Sequence, residues 1–455
     1  MIPCVEAGPA PYYYGEYGWV VDTLAKNLSA LVIFAEHRGF GLTYPAVAAN
    51  GDLSGWIPDA AHVGVLTEAQ VLEDDTALAI SLRTNLSAWD SPIIAIGGSL
   101  SGEMSTWWRT RYPFIVDMAL AASAPIFGFP GKASNGAELC DQYGWEQVVT
   151  EAFRSVGGDT CVDNFRNGYT QTAALTPSQL TSAFNTCTPA SLQCHSTQIA
   201  EMAIGWTETA AELGSYPASN PARSQTVWAC TTMANSTNGV EAYAQLLGPL
   251  IPGQCLNISW DMQCGATMKK KQQLQQQATP GWCTTHWNDT TSGCQDGWGI
   301  ESCTTEIHPI STNNVTDFFP PSAPFNEHDR QQGCREQYGS DLRTDGSAMP
   351  HSFGQNDLPR MSTSASRIIF SSGSYDPWSS MSVNQSLSPT LLFVNIQGGA
   401  HHSDIGNNWN PIPTEDDEPA LINARAFEIE TLNQWIQEFH KERNAAKAFI
   451  LAQKA

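Results

Sequence analysis

Pro92-Ile93-Ile94-Ala95-Ile96-Gly97-Gly98-Ser99-Leu100-Ser101-Gly102 is the stretch that decides the fold. Its first half is a short apolar run bounded by proline and glycine, the pattern of a strand buried on both faces. Its second half is built from small residues that permit a tight turn, and a tryptophan-rich segment of helical character follows. A serine at the tip of strand, tight turn and helix has its hydroxyl thrust clear of the main chain. Ser99 is therefore the candidate nucleophile, and the main-chain N–H of Leu100 a candidate oxyanion donor. The usual G-x-S-x-G pattern has glycine where this chain has Ser101, a small residue that is itself the rival nucleophile. On its own the stretch reads equally well as a plain glycine turn.

Working outward, residues 22–29 read as helix and Ala30–Ala35 (ALVIFA) as a strand buried on both faces. A helix is expected over Thr67–Leu82, with Thr67 as N-cap and Glu68 in its first turn. Asp117–Ala122, Ile368–Phe370 and Leu391–Ile396 are further strand candidates. The alternation of strands and helices argues an α/β chain with a mostly parallel sheet. Between about Phe127 and Pro350 the buried apolar runs vanish and cysteine, Gln, Thr and Asn rise; Lys269–Gln277 (KKKQQLQQQ) reads as a polar helical stretch. This gives an expected division into residues 1–127, a helical, disulfide-rich insertion at 128–350, and a return to the first domain at 351–455. The last helix, about Ala420–Phe439, carries apolar residues on one face, as a cover helix does.

Two further candidates sit just beyond predicted strands, where open α/β sheets bind ligands. Asp376, in Ser374-Tyr375-Asp376-Pro377-Trp378, follows the Ile368–Phe370 strand. Taken alone it reads as an Asp-Pro turn. His401, in Gly398-Gly399-Ala400-His401-His402, follows the Leu391–Ile396 strand. Its neighbour His402 is the competitor for the role of base, and a metal pair is the alternative for both. The order Ser99, Asp376, His401 is that of the α/β-hydrolases, and the long first gap accommodates the insertion.

Composition bounds the setting. The 455 residues include 42% hydrophobic and 15% charged residues, enough apolar material for a real core. The formal net charge of −23 disfavours nucleic acid and anionic membrane surfaces as partners. No stretch of eighteen apolar residues offers a membrane span. Twelve cysteines, mostly between Cys161 and Cys334, point to disulfides made in an oxidising compartment, with zinc as the weaker alternative. Sequons at Asn27, Asn85, Asn235, Asn257, Asn288, Asn314 and Asn384 agree with a secreted or lysosomal/vacuolar route. The opening MIPCVEAGPAPYYY has no signal-peptide character, so the natural start is expected upstream.

Several segments resemble the serine peptidases that include lysosomal prolyl carboxypeptidase, dipeptidyl peptidase II and the thymus-specific serine protease. They are Ala35-Glu36-His37-Arg38-Gly39-Phe40-Gly41, Leu66–Gln70, the Gly97–Pro113 block, Ala122–Ile126, Cys303–Glu306, Phe319-Pro320-Pro321, Asp376–Ser379 and Gly399–His402. The resemblance implies an α/β-hydrolase fold, Ser99, Asp376 and His401 as triad, a helical disulfide-bearing cap, no cofactor, a peptide substrate with proline beside the scissile bond, and a homodimer. It also implies more chain before residue 1, with Glu6-Ala7-Gly8 near the oxyanion hole. Trp378 is expected to form an apolar wall of the substrate pocket. Glu103 stands where the family has an apolar residue; it is expected either to alter the pocket and attract a cationic group, or to point into solvent. Glu36, His37 and Arg38 are expected to form buried ion-paired support. The alternatives are an esterase or lipase on the same fold, and an inactive glycoprotein that binds peptides.

Overall fold

The computed structural model describes residues 1–3, 10–38, 67–187, 190, 194–220, 222–248, 255–256, 296–339, 342–354, 357–406 and 413–454. The expectations at Glu6–Gly8, Lys269–Gln277, Asn257 and Asn288 lie outside them.

The centre is a parallel sheet of β1 (Ile2–Pro3), β2 (Ile94–Gly98), β3 (Met118–Ala122), β4 (Ile368–Gly373) and β5 (Leu391–Ile396), in that spatial order. Ile96 pairs with Leu120, Leu120 with Ile369, and Ile369 with Leu392. Strand residues alternate between two apolar layers, as the period of two requires. Ala95, Ala119, Ala121, Ile368 and Phe370 face Val71 and Leu72 of α2 (Glu68–Asn85) and Met104, Trp107 and Trp108 of α3 (Ser99–Arg111). Ile94, Ile96, Leu120 and Ile369 face Tyr17, Trp19, Val20 and Leu24, near α1 (Ala10–Glu16), and Leu432 and Trp435 of the long α13 (Pro419–Lys454). With both faces covered, the strands carry little but apolar residues. This is the α/β-hydrolase arrangement anticipated from the sequence.

Between β3 and β4 run α4 (Gly144–Ala173), α5 (Pro177–Phe184), α6 (Cys194–Glu212), α7 (Gln225–Asn235), α8 (Gly239–Leu247), α9 (Asp296–Thr304), α10 (Glu327–Tyr338), α11 (Ala348–Phe353) and α12 (Leu358–Ser364). Their starts follow local chemistry. Thr176 and Gln179 form a reciprocal capping box around Pro177, while Ser224, Asn238 and Asn326 cap α7, α8 and α10 with side-chain oxygens. Phe153, Phe165, Ile199, Tyr243 and Leu246 make a separate core. Disulfides Cys161–Cys230, Cys187–Cys255 and Cys303–Cys334 join described residues here; the clustering of cysteines anticipated a stapled region but not these pairs. Phe318, Met381 and, partly buried, Tyr375 and Trp378 extend this core to the loop after β4.

One strand expectation fails. Ala30–Ala35 is extended chain beside Met1, tied to it by Met1 N–H to Leu31 O at 2.8 Å and Ile33 N–H to Met1 O at 3.1 Å. It is not buried on both faces: Leu31 is 60% exposed. Ile2–Pro3 is the strand that pairs with β2, and Ala30–Ala35 lies on its outer side; apolarity alone does not distinguish the two. The helix at Thr67 runs on to Asn85 and the last helix to Lys454. Thr67 has extended N-cap dihedrals, but its side chain makes no capping bond. Among the described residues no helix is long and apolar enough to cross a membrane. The five described sequon asparagines, Asn27, Asn85, Asn235, Asn314 and Asn384, are all exposed.

Candidate active site

The parallel sheet sends the C-terminal ends of β2, β4 and β5 to one edge, and Ser99, Asp376 and His401 follow those ends. Ser99 opens α3 with φ of +56°, a left-handed conformation that costs energy for a residue with a Cβ and marks a forced turn. The small residues beside it are needed for space. A Cβ on Gly97 would lie 2.3 Å from the main chain of Ser101, and one on Gly98 would lie 2.6 Å from the His402 ring. Ser99 is partly exposed whereas Ser101 is fully buried, so the accessible hydroxyl is that of Ser99. Leu100 follows in the first turn of α3, where main-chain N–H groups have no helical partner.

The loops after β4 and β5 are knitted together by the main chain. Ser374 N–H donates to Ile396 O and Tyr375 N–H to Gly399 O, both at 3.0 Å, and Gly398 N–H donates to Ser374 Oγ at 2.8 Å. This brings Asp376 Oδ1 to 2.9 Å from His401 Nδ1. Asp376 is fully buried, and the same oxygen accepts the Trp378 N–H at 3.1 Å, which fixes its rotamer. His402 is held elsewhere: its N–H donates to Ser123 Oγ at 2.8 Å and its Nδ1 lies 2.6 Å from Gly406 O. Burial pushes the His402 imidazole down to about 3, so it stays neutral. Of the two adjacent histidines, His401 is the one that meets the carboxylate. Among the described residues no cluster of three metal-ligating side chains occurs.

The remaining expectations are placed less simply. Trp378 lies beside the site, its ring 6.3 Å from that of His401 and edge-on to Trp145 at 5.9 Å. Glu103 does not point into solvent; it is fully buried, and its charge acts on Glu306. Burial is what lifts the Glu306 carboxyl, and Glu103, Glu68 and Glu301 add to it. Glu68, expected to serve the helix start, is buried there too and accepts from Thr305 Oγ1 at 2.6 Å. His37 is buried 3.5 Å from Glu301, but burial lowers its imidazole to about 4, and the ion pair of Arg38 with Asp74 at 2.6 Å is half-exposed, so the expected buried ion-paired support is not what these residues form.

Sequence reasoning missed Glu212. It ends α6, its main-chain oxygen accepts the His401 N–H at 2.7 Å, and its Oε1 accepts the Trp378 Nε1–H at 2.7 Å. No motif marks it; only the packing of the inserted helices brings it to the site.

A model of the family described as serine carboxypeptidase S28 matches residues 13–427. The lysosomal Pro-X carboxypeptidase of Homo sapiens is 29% identical over 95% of this chain and 80% of its own length. The prolyl carboxy peptidase like protein 5 of Caenorhabditis elegans is 28% identical over 96% and 84%. The thymus-specific serine protease of Mus musculus is 24% identical over 92% and 77%. With a match that takes in β2 to β5, the inserted helices and all three loops, the chain belongs to the serine carboxypeptidase S28 family and is a serine peptidase of the exopeptidase type.

Proposed function

We propose that the chain hydrolyses peptide bonds beside proline through an acyl-enzyme on Ser99, with His401 as proton carrier and Asp376 as its orienting carboxylate. The observation that carries this is the 2.9 Å contact between Asp376 and His401 Nδ1, made at the strand ends that also present Ser99. With Nδ1 engaged, Nε2 is the nitrogen left for the Ser99 hydroxyl. As Oγ bonds the substrate carbonyl carbon, its proton passes to Nε2. The carbonyl oxygen, now anionic, takes the Leu100 N–H. Nε2 then gives its proton to the departing amine, and water repeats the sequence to release the acid.

The Trp378 and Trp145 rings support an aromatic pocket wall suited to a proline ring. The substrate role expected of Glu103 is indirect in this proposal. Glu103 acts on Glu306, which lies 3.5 Å from His308, and the His308 ring packs edge-on to Trp378 at 5.1 Å. The helices between β3 and β4 serve as the cap. Disulfides, exposed sequons and relatives named as lysosomal favour a lysosomal or secreted protein.

The test is a blocked dipeptide with proline before a free C-terminal residue, compared with its C-terminal amide and with an acyl ester. Release of the residue after proline is expected, and Ser99→Ala should lower kcat on the order of 10⁴–10⁶-fold. Full activity in Ser99→Ala, or ester turnover without peptide turnover, would contradict the proposal.

A further inference from the structure

Glu212 approaches His401 from the side opposite Asp376. Its Oε1 lies 3.8 Å from His401 Nε2, while Asp376 Oδ1 lies 2.9 Å from Nδ1. The imidazole thus sits between two carboxylates, one from the loop after β4 and one from α6. The Glu212 carboxylate is itself fixed, by the Trp378 indole N–H at 2.7 Å. Its main chain is fixed as well, because its carbonyl oxygen holds the His401 N–H. Glu212 is therefore tied to residue 401 twice, through main chain and side chain.

We propose that Glu212 is a positioning residue that clasps the His401 ring against Asp376 and raises the hold of Nε2 on a proton. This rests on the triad reading given above. Positive charge develops on the imidazole as Ser99 loses its proton, and a second fixed carboxylate nearby favours that charge. The same contact holds the proton on Nε2 at low pH, when Nε2 must be free to act as base. Glu212 thereby sets the acid limit of activity.

The other charged groups around this point are accounted for. His402 is neutral, and Asp404 is engaged by Ser371 and Glu428. Glu208, one turn earlier on α6, is lifted to about 7 by burial and by Glu212. Glu146 of α4 is lifted to about 9 by burial and then by Glu208 and Asp317, so it carries no charge at neutral pH. Burial raises Glu212 as well; His401 and the Trp378 hydrogen bond oppose that rise, and the charge of Asp376 adds to it.

Glu212→Gln keeps the size of the side chain and an oxygen for the Trp378 indole but removes the charge. The acid limb of the kcat/KM–pH profile should move down by about 1 unit, and the plateau should fall by about 10-fold. Glu212→Asp should leave the limb in place. An unmoved limb in Glu212→Gln, with equal loss at every pH, would make the role merely structural and overturn the proposal. If Glu212→Gln does not fold, Glu212→Ala with formate in the buffer decides. Return of the limb with formate but not with formamide supports the clasp, and no return overturns it. Ser99→Ala is measured in parallel: activity surviving there ends the triad reading itself, whatever Glu212 does.

Discussion

Gly98 shows how tightly single residues specify the site. Its φ of −112° is open to any residue, so conformation is not the reason for glycine. Space is: the His402 ring occupies the position of the missing Cβ, and that ring is held by Gly406 O and, through its main chain, by Ser123. It cannot retreat without moving its neighbour His401. Gly98→Ala should therefore destabilise the fold by about 1–3 kcal/mol, as overpacking does, and should lower kcat at the same time. Denaturation midpoint and kcat measured together check this; a variant unchanged in both would contradict it. At this scale the sequence was informative where chemistry is local. Ser99, Asp376 and His401 could each be placed from the sequence just after an apolar run, and they do follow the ends of β2, β4 and β5. Glu212 was not, because nothing near it in sequence indicates that the end of α6 reaches the loop after β5.

Among the elements, legibility followed burial. β2, β3 and β4 are short runs buried throughout and β5 is a mostly half-buried one, and all four were found within a few residues. Ala30–Ala35 has the same composition but forms no regular strand; it lies on the outer side of Ile2–Pro3, held by two main-chain bonds to Met1 and partly open to solvent. The cysteines announced that the inserted region is stapled but not which residues pair. That depends on the packing of α4 against α7, which brings Cys161 to Cys230 across 69 residues of chain. Glu68 and Glu103 were read from their own helices, as a first-turn acid and a pocket or surface acid. Their surroundings are instead set by α9 and the residues after it, far away in sequence.

The whole molecule carries many buried acids, and their ionisation sets its response to pH. Burial lifts Asp75 to about 7, Glu208 to about 7 and Glu146 to about 9, and it also raises Glu68, Glu306 and Glu428. Such groups hold protons in the folded chain that the unfolded chain releases near its ordinary carboxyl values. Their contribution is complete below those values and is lost as pH rises through the folded ones. Buried His37 and His308, lowered to about 4, and His402, lowered to about 3, work the other way, losing stability as pH falls below about 6.5. Above that value the histidines are neutral in both states and the acids decide, opposed only in part by the buried Met1 amine, lowered to about 6. The Tm should thus fall by roughly 5 °C or more between about pH 6.5 and about pH 8.5. A Tm that rises over that interval in thermal scans would contradict this account of the buried acids.

The catalytic expectations depend on the Ser99 hydroxyl being the group that His401 and Asp376 activate. Reaction of the intact protein with a fluorophosphonate, followed by peptide mapping, measures this most directly. One phosphonyl group is predicted on Ser99, with activity lost in proportion to labelling and with labelling abolished in His401→Ala. Inactivation with the adduct on another residue, or full activity with Ser99 modified, would contradict it.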